Sequence, residues 1–93
     1  MDFLQLFNGV VDLAKPVSAA DSHASSMQDQ LPDLKLDSLD TIMLAMYLGE
    51  IYGIEEDTMR EMEAATVADL QAFLEVHKTR TPTDLEAELE RVK

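Results

Sequence analysis

With 93 residues, 46% hydrophobic but only 5% aromatic, and with no tryptophan, the chain has material for one small domain and a composition that favours helices over sheet. Nineteen acidic residues oppose seven basic ones, and the formal charge of −12 would repel nucleic acid phosphates and anionic membranes, so basic partners are expected. Cysteine is absent, which excludes disulfides, Cys-ligated metals and any thiol chemistry of the chain's own.

The opening Met-Asp-Phe-Leu-Gln-Leu-Phe has no basic lead and no cleavage site, and no apolar run approaches the ~18 residues of a membrane span. A cytoplasmic protein without stable membrane insertion is expected. Phe3, Phe7, Val10 and Ala14 share one helical face, with Leu4, Leu6 and Val11 nearby, and predict a first helix over residues 2–14. Asn8-Gly9 is its weak point, because both residues favour turns. From Lys15 to Gln30 the chain is rich in Ser and small or polar residues and reads as a long loop, continuing to residue 37. Leu31, Leu34 and Leu36 are expected to pin that loop to the core by burying apolar area.

The second helix is predicted from Ser38 to Tyr52, with Asp37 as N-cap, Asp40 near the positive helix end and Gly53 as the stop. At 100° per residue, Leu44, Leu48, Ile51 and Tyr52 gather on one side and Leu39, Ile42, Met43 and Met46 on the other. A domain this small can hardly surround such a helix, so one apolar face is expected to stay partly exposed as a docking surface; the alternative is that other helices cover both faces. Residues 55–63, anchored by Met59 and Met62, read as a loop plus a short helix. Thr66, with Asp69 three residues on, resembles a capping box and opens a final core helix with Val67, Leu70, Phe73, Leu74 and His77 on one face. Thr81-Pro82-Thr83-Asp84 is a further start signal, with Pro82 at the first helical position. Two leucines, Leu85 and Leu89, anchor it thinly, so residues 79–93 are expected as a marginal helix or a disordered tail beyond a helical domain at 1–78.

Familiar catalytic arrangements are missing: there is no Gly-rich phosphate loop, no His pair at metal-binding spacing, and Glu55, Glu56 and Asp57 lack the pattern of a calcium loop. No catalytic or metal-ligating residue is assigned; His23 reads as solvated in the loop, and His77 as a helix-end residue favoured by the negative dipole there. One serine stands out, because Asp37-Ser38-Leu39-Asp40 puts a hydroxyl at the first turn of the two-faced helix, where backbone N–H groups favour an anion. Taken alone, that tetrapeptide is also an ordinary helix start.

The stretch Asp37-Ser38-Leu39-Asp40-Thr41-Ile42 resembles the Asp-Ser-Leu motif of bacterial acyl carrier proteins. The likeness runs from Leu31 through about Lys78: a leucine-bearing loop, a Ser-headed helix, an aromatic at Tyr52, an acidic short helix and a Thr-Val-headed last helix. It implies an all-α bundle of three main helices plus one short helix. It also implies that Ser38 receives a 4'-phosphopantetheine arm from coenzyme A through a phosphopantetheinyl transferase, that Asp37 helps place the metal ion used in the transfer, and that the arm's thiol carries an acyl group as a thioester. The chain itself would then be a non-enzymatic, monomeric shuttle for fatty acid or specialised lipid biosynthesis. Its acyl-loading and acyl-accepting enzymes would dock basic patches on Leu39, Asp40, Ile42, Met43, Met46 and Glu50. The cargo would slip between helices lined by a core of Phe3, Phe7, Val10, Leu44, Leu48, Tyr52, Met62, Val67, Leu70 and Leu74.

Two features depart from carriers of general fatty acid synthesis: Met43 and Gly49 stand where an acidic residue is common, which points to a specialised pathway. An aminoacyl, peptidyl or polyketide carrier shares the same signals, and a helical adaptor without an arm would use the same Met-rich face.

Overall fold

The three longest helices of this chain start on side-chain caps written into the sequence, and the helices pack as a small all-α bundle. The computed structural model describes residues 2–17 and 19–92. The elements are α1 (Phe3–Ala14), α2 (Ser38–Tyr52), α3 (Glu56–Arg60), α4 (Val67–His77) and α5 (Leu85–Val92), with single 3₁₀ turns at Ala19–Ser22 and Leu31–Leu34 in the long loop.

Asp2 caps α1 by accepting from Leu4 N at 3.0 Å. Phe3, Phe7 and Val10 are buried as the periodicity predicts, and Leu6 and Val11 are fully buried beside them. Asn8-Gly9 does not break the helix. Asn8 instead pins the loop, its Nδ2 donating to Ala24 O at 3.0 Å and its Oδ1 accepting from Ala24 N at 2.8 Å. Gly9 leaves room for α5, because a Cβ there would lie 2.6 Å from Leu89 Cδ1.

The loop is held by more than its leucines. Leu34 is buried and Leu31 and Leu36 are partly so. Lys15 Nζ also bridges the fully buried Ser22 Oγ at 3.0 Å and Lys35 O at 3.1 Å, and His23 Nε2 sits 2.7 Å from Asp12 Oδ1. At the far end, Val67 N and Ala68 N donate to Asp29 O and Met27 O at 3.1 and 2.8 Å, and an isolated antiparallel bridge joins Gln30 to Thr66. The loop therefore satisfies amides of α4 that have no partner within the helix.

The capping box of α4 forms as predicted: Thr66 Oγ1 accepts from Asp69 N at 3.1 Å while Asp69 Oδ2 accepts from Thr66 N at 3.2 Å. Leu44, Leu48, Ile51 and Tyr52 of α2 meet α1 and α4 in the core, with Val67, Leu70 and Leu74 opposite. Burial, with Glu75 nearby, pushes the Tyr52 phenol up to about 12. One core assignment is corrected: Met59 is buried and Met62 only partly so. The five-residue α3 turns Met59 inward over Gly49, where a Cβ would meet Met59 Cγ at 2.8 Å.

The C-terminal segment is helical and docked. Pro82 precedes the helix and does not open it; α5 starts at Leu85, with Asp84 O accepting from Glu88 N at 3.0 Å. Before it, Thr79 and Arg80 bend the chain against the end of α2, their amides donating to Tyr52 O at 3.0 and 3.2 Å. Val92 is buried, and Leu85 and Leu89 pack on the core.

Candidate functional site

Ser38 heads α2 and is exposed. Around it Asp37 and Asp40 close a reciprocal capping box: Asp37 Oδ1 accepts from Asp40 N at 2.8 Å, and Asp40 Oδ2 accepts from Asp37 N at 3.3 Å. Thr41 Oγ1 donates to Asp37 O at 2.9 Å. The turn is thus rigidified by its neighbours and leaves the Ser38 hydroxyl without a hydrogen-bond partner among the described residues. Asp37, Ser38 and Asp40 come together as one polar head on a fixed helix end.

Below this head the second face of α2 lies open. Leu39, Ile42 and Met46 are 66%, 56% and 53% exposed, against Leu44 at 5% and Leu48 at 0% on the core side. Such contiguous exposure of large apolar side chains is unusual on a small soluble surface. Met43 is partly buried and Glu50 is exposed. Leu39 stands on the outer surface, whereas Ile42, Met46 and Glu50 also line a groove between α2 and α3.

That groove measures about 690 Å³, with Ala45, Gly49, Ile54, Met59 and Met62 along its apolar walls. Its rim carries Glu50, Glu56 and Arg60; Arg60 is paired with Glu56 at 2.8 Å and Asp57 at 3.2 Å. A second cavity of about 280 Å³ lies under the 31–36 segment, lined by Leu31, Leu36, Leu44, Leu48 and Leu70. Thr41, Ala45 and Met62 line both spaces, and Thr41 is one turn from Ser38, about 4.5 Å along the helix axis.

Of the residues expected to surround a cavity, Leu44, Leu48, Met62 and Leu70 do so. Phe3, Phe7, Val10, Tyr52, Val67 and Leu74 belong to the packed core and line neither space. Gly49 is buried beneath Met59, so its lack of an acidic side chain has a packing reason. The role of Gly49, Ile54 and Met59 as walls was not readable from periodicity; the signal was the glycine itself, inside a helix where it costs about 1 kcal/mol relative to alanine.

The end of α2 is engaged by the C-terminal segment. Arg91 Nη2 donates to Glu50 O at 2.9 Å, Arg80 Nη1 to Ile51 O and Thr79 Oγ1 to Gly53 O. Both arginines also contact Glu88. His77 rests against the Phe73 ring with centroids 4.4 Å apart, and His23 is occupied by Asp12. Among the described residues no cluster of three or more His, Asp or Glu is placed to hold a metal ion, and no helix is long and apolar enough to cross a membrane. No protein-family model matches the chain, and neither a curated protein nor a solved structure matches it.

Proposed function

We propose that the protein is an acyl carrier: Ser38 takes a phosphopantetheine arm, the arm's thiol holds an acyl group as a thioester, and the chain shuttles it between enzymes of fatty acid or specialised lipid biosynthesis. The observation that carries this reading is the exposed, uncommitted hydroxyl of Ser38 on a doubly capped helix head, one turn above two apolar spaces. The reading also rests on the motif resemblance at residues 37–42.

In the transfer, Ser38 Oγ gives up its proton and bonds to the phosphopantetheine phosphorus of coenzyme A as the pyrophosphate bond breaks, so that adenosine 3',5'-bisphosphate leaves and a phosphodiester remains at the helix head. First-turn amides and the helix dipole favour the new anion there, and exposure keeps it hydrated beside Asp37 and Asp40. Asp37 would help place the metal ion that the transferase uses. An apolar acyl chain beside the groove gains roughly 0.8 kcal/mol for each methylene removed from water, less the cost of ordering it. Partner enzymes would bury Leu39, Ile42, Met43 and Met46 while basic patches meet Asp40 and Glu50. A chain of charge −12 speeds such encounters without making them tight, and added salt weakens them.

Incubation with coenzyme A, magnesium and a broad-specificity phosphopantetheinyl transferase, followed by intact mass measurement, tests the reading. One arm on the wild type and none on Ser38→Ala is the expected result; no arm on the wild type, or an arm on Ser38→Ala, would overturn it. Because cysteine is absent, the arm's thiol can be titrated without background. A protein that refuses the arm yet binds partners through Leu39, Ile42 and Met46 would be a helical adaptor. Loading by an amino-acid-activating ligase would instead mark an aminoacyl or peptidyl carrier.

A further inference from the structure

The last turn of α2 ends in carbonyls that no helical amide can reach. Glu50 O takes Arg91 Nη2, Ile51 O takes Arg80 Nη1, Tyr52 O takes the Thr79 and Arg80 amides, and Gly53 O takes Thr79 Oγ1. All these donors come from residues 79–91. The two cations also sit where the helix dipole is negative. Glu88 ties them together: it is 5% exposed, accepts from both Arg80 Nη atoms at 2.8 and 3.1 Å, and takes Arg91 Nε at 3.4 Å.

Apolar attachment of this segment is thin by comparison. Val92 is buried, Leu85 and Leu89 are partly so, and an isolated helix of eight residues is unstable in water. An element of that kind opens as a unit, well below the free energy of global unfolding.

We propose that residues 79–92 form a releasable strap, pinned by Glu88, that clamps the C-terminal turn of α2 and thereby sets how firmly Gly49 and Glu50 hold the end of the α2–α3 groove. Neutralising Glu88 leaves Arg80 and Arg91 without their shared counterion. The guanidinium groups then leave the α2 carbonyls for water, α5 undocks, and the turn from Gly49 to Ile54 loosens. Beyond the helical bonds of α2, that turn is closed by Gly53 N to Glu50 O at 3.3 Å and Ile54 N to Gly49 O at 2.7 Å. The strap acts on the groove whatever the groove holds, so it stands independently of the carrier reading.

Residue-resolved amide exchange on the full chain, wild type against Glu88→Gln, tests the proposal. The substitution keeps the side chain's size and removes its charge. Exchange at Thr79, Arg80 and Glu88 and at Gly53 and Ile54 is expected to accelerate together by about tenfold or more, while the buried turns of α1 and α4 keep their protection. Unchanged exchange at these positions would overturn the strap. Acceleration of α5 alone, with Gly53 and Ile54 unmoved, would overturn its coupling to the groove. Uniform acceleration through α1 and α4 would make residues 79–92 part of the global fold and overturn the proposal too.

Discussion

Arg80 and Glu88 form a two-pronged pair, Nη1 to Oε1 at 2.8 Å and Nη2 to Oε2 at 3.1 Å, in which the Glu88 side chain is covered and the Arg80 side chain is 40% exposed. The hydrogen bond from Arg80 holds the Glu88 carboxyl below the usual carboxylate range; burial works against it, and Arg91 adds to it. A carboxyl with a depressed folded-state pKa contributes stability that is present above its unfolded value and lost as pH falls through the folded one. Urea midpoints of wild type and Glu88→Gln should therefore differ at neutral pH, with the wild type higher. They should converge as the solution is acidified below about pH 4. A constant difference across that range would contradict the assignment.

Asp37 has two roles that separate by substitution. Asn caps a helix about as well as Asp, so Asp37→Asn should leave stability within about 0.5 kcal/mol, whereas Asp37→Ala should cost about 1 kcal/mol. Under the carrier reading both variants slow arm transfer, because both remove the carboxylate that helps place the metal ion. Thermal melts and transferase kinetics on the two variants check this; an Asn variant with wild-type transfer rates would reduce Asp37 to a cap.

The two faces of α2 should respond differently to truncation. Leu48 is fully buried, and Leu48→Ala should destabilise by about 2–5 kcal/mol in urea unfolding. Ile42→Ala and Met46→Ala remove side chains that are more than half exposed and should shift stability by no more than about 0.5 kcal/mol. If partners dock there, those same two variants weaken complex formation, measurable as a raised KM for the carrier in a partner enzyme's assay.

Gly53 ends α2 at φ 67°, and a Cβ there would also run into Thr79 Oγ1. Gly53→Ala should therefore cost more than about 1 kcal/mol, the left-handed penalty alone, and the excess reports the contact with the strap. Calorimetry on Gly53→Ala with and without Thr79→Ser, which keeps the hydroxyl, and Thr79→Ala, which removes it, separates the two contributions. Relief by Thr79→Ala only is the expected pattern.

Residues 37–53 were legible almost in full, because a cap, a two-sided apolar pattern and a glycine stop are local statements, and a backbone obeys local statements first. That one apolar face would stay partly open was expected from domain size, whereas the choice of Leu39, Ile42 and Met46 as that face rested on the resemblance. The exchange of Met59 for Met62 in the core was not legible, since two methionines three residues apart have equal claims until α3, which carries Met59 and ends before Met62, is placed on α2. Asn8-Gly9 misled in the same way: its turn propensity is real, but Ala24 satisfies the amide and Leu89 fills the space above the glycine.

By itself, the sequence determined the caps of α2 and α4, the two apolar faces of α2 and the position of Ser38 at its head, because capping and periodicity act within a few residues. Only the tertiary structure decided that residues 79–92 dock. Leu85 and Leu89 look too few to hold a helix. What holds it is a set of α2 carbonyls and a shared carboxylate, and donor and acceptor there lie between 26 and 41 residues apart in the chain. Hydrogen bonds at that separation leave no periodic trace in a sequence, since either partner alone reads as a solvated charge.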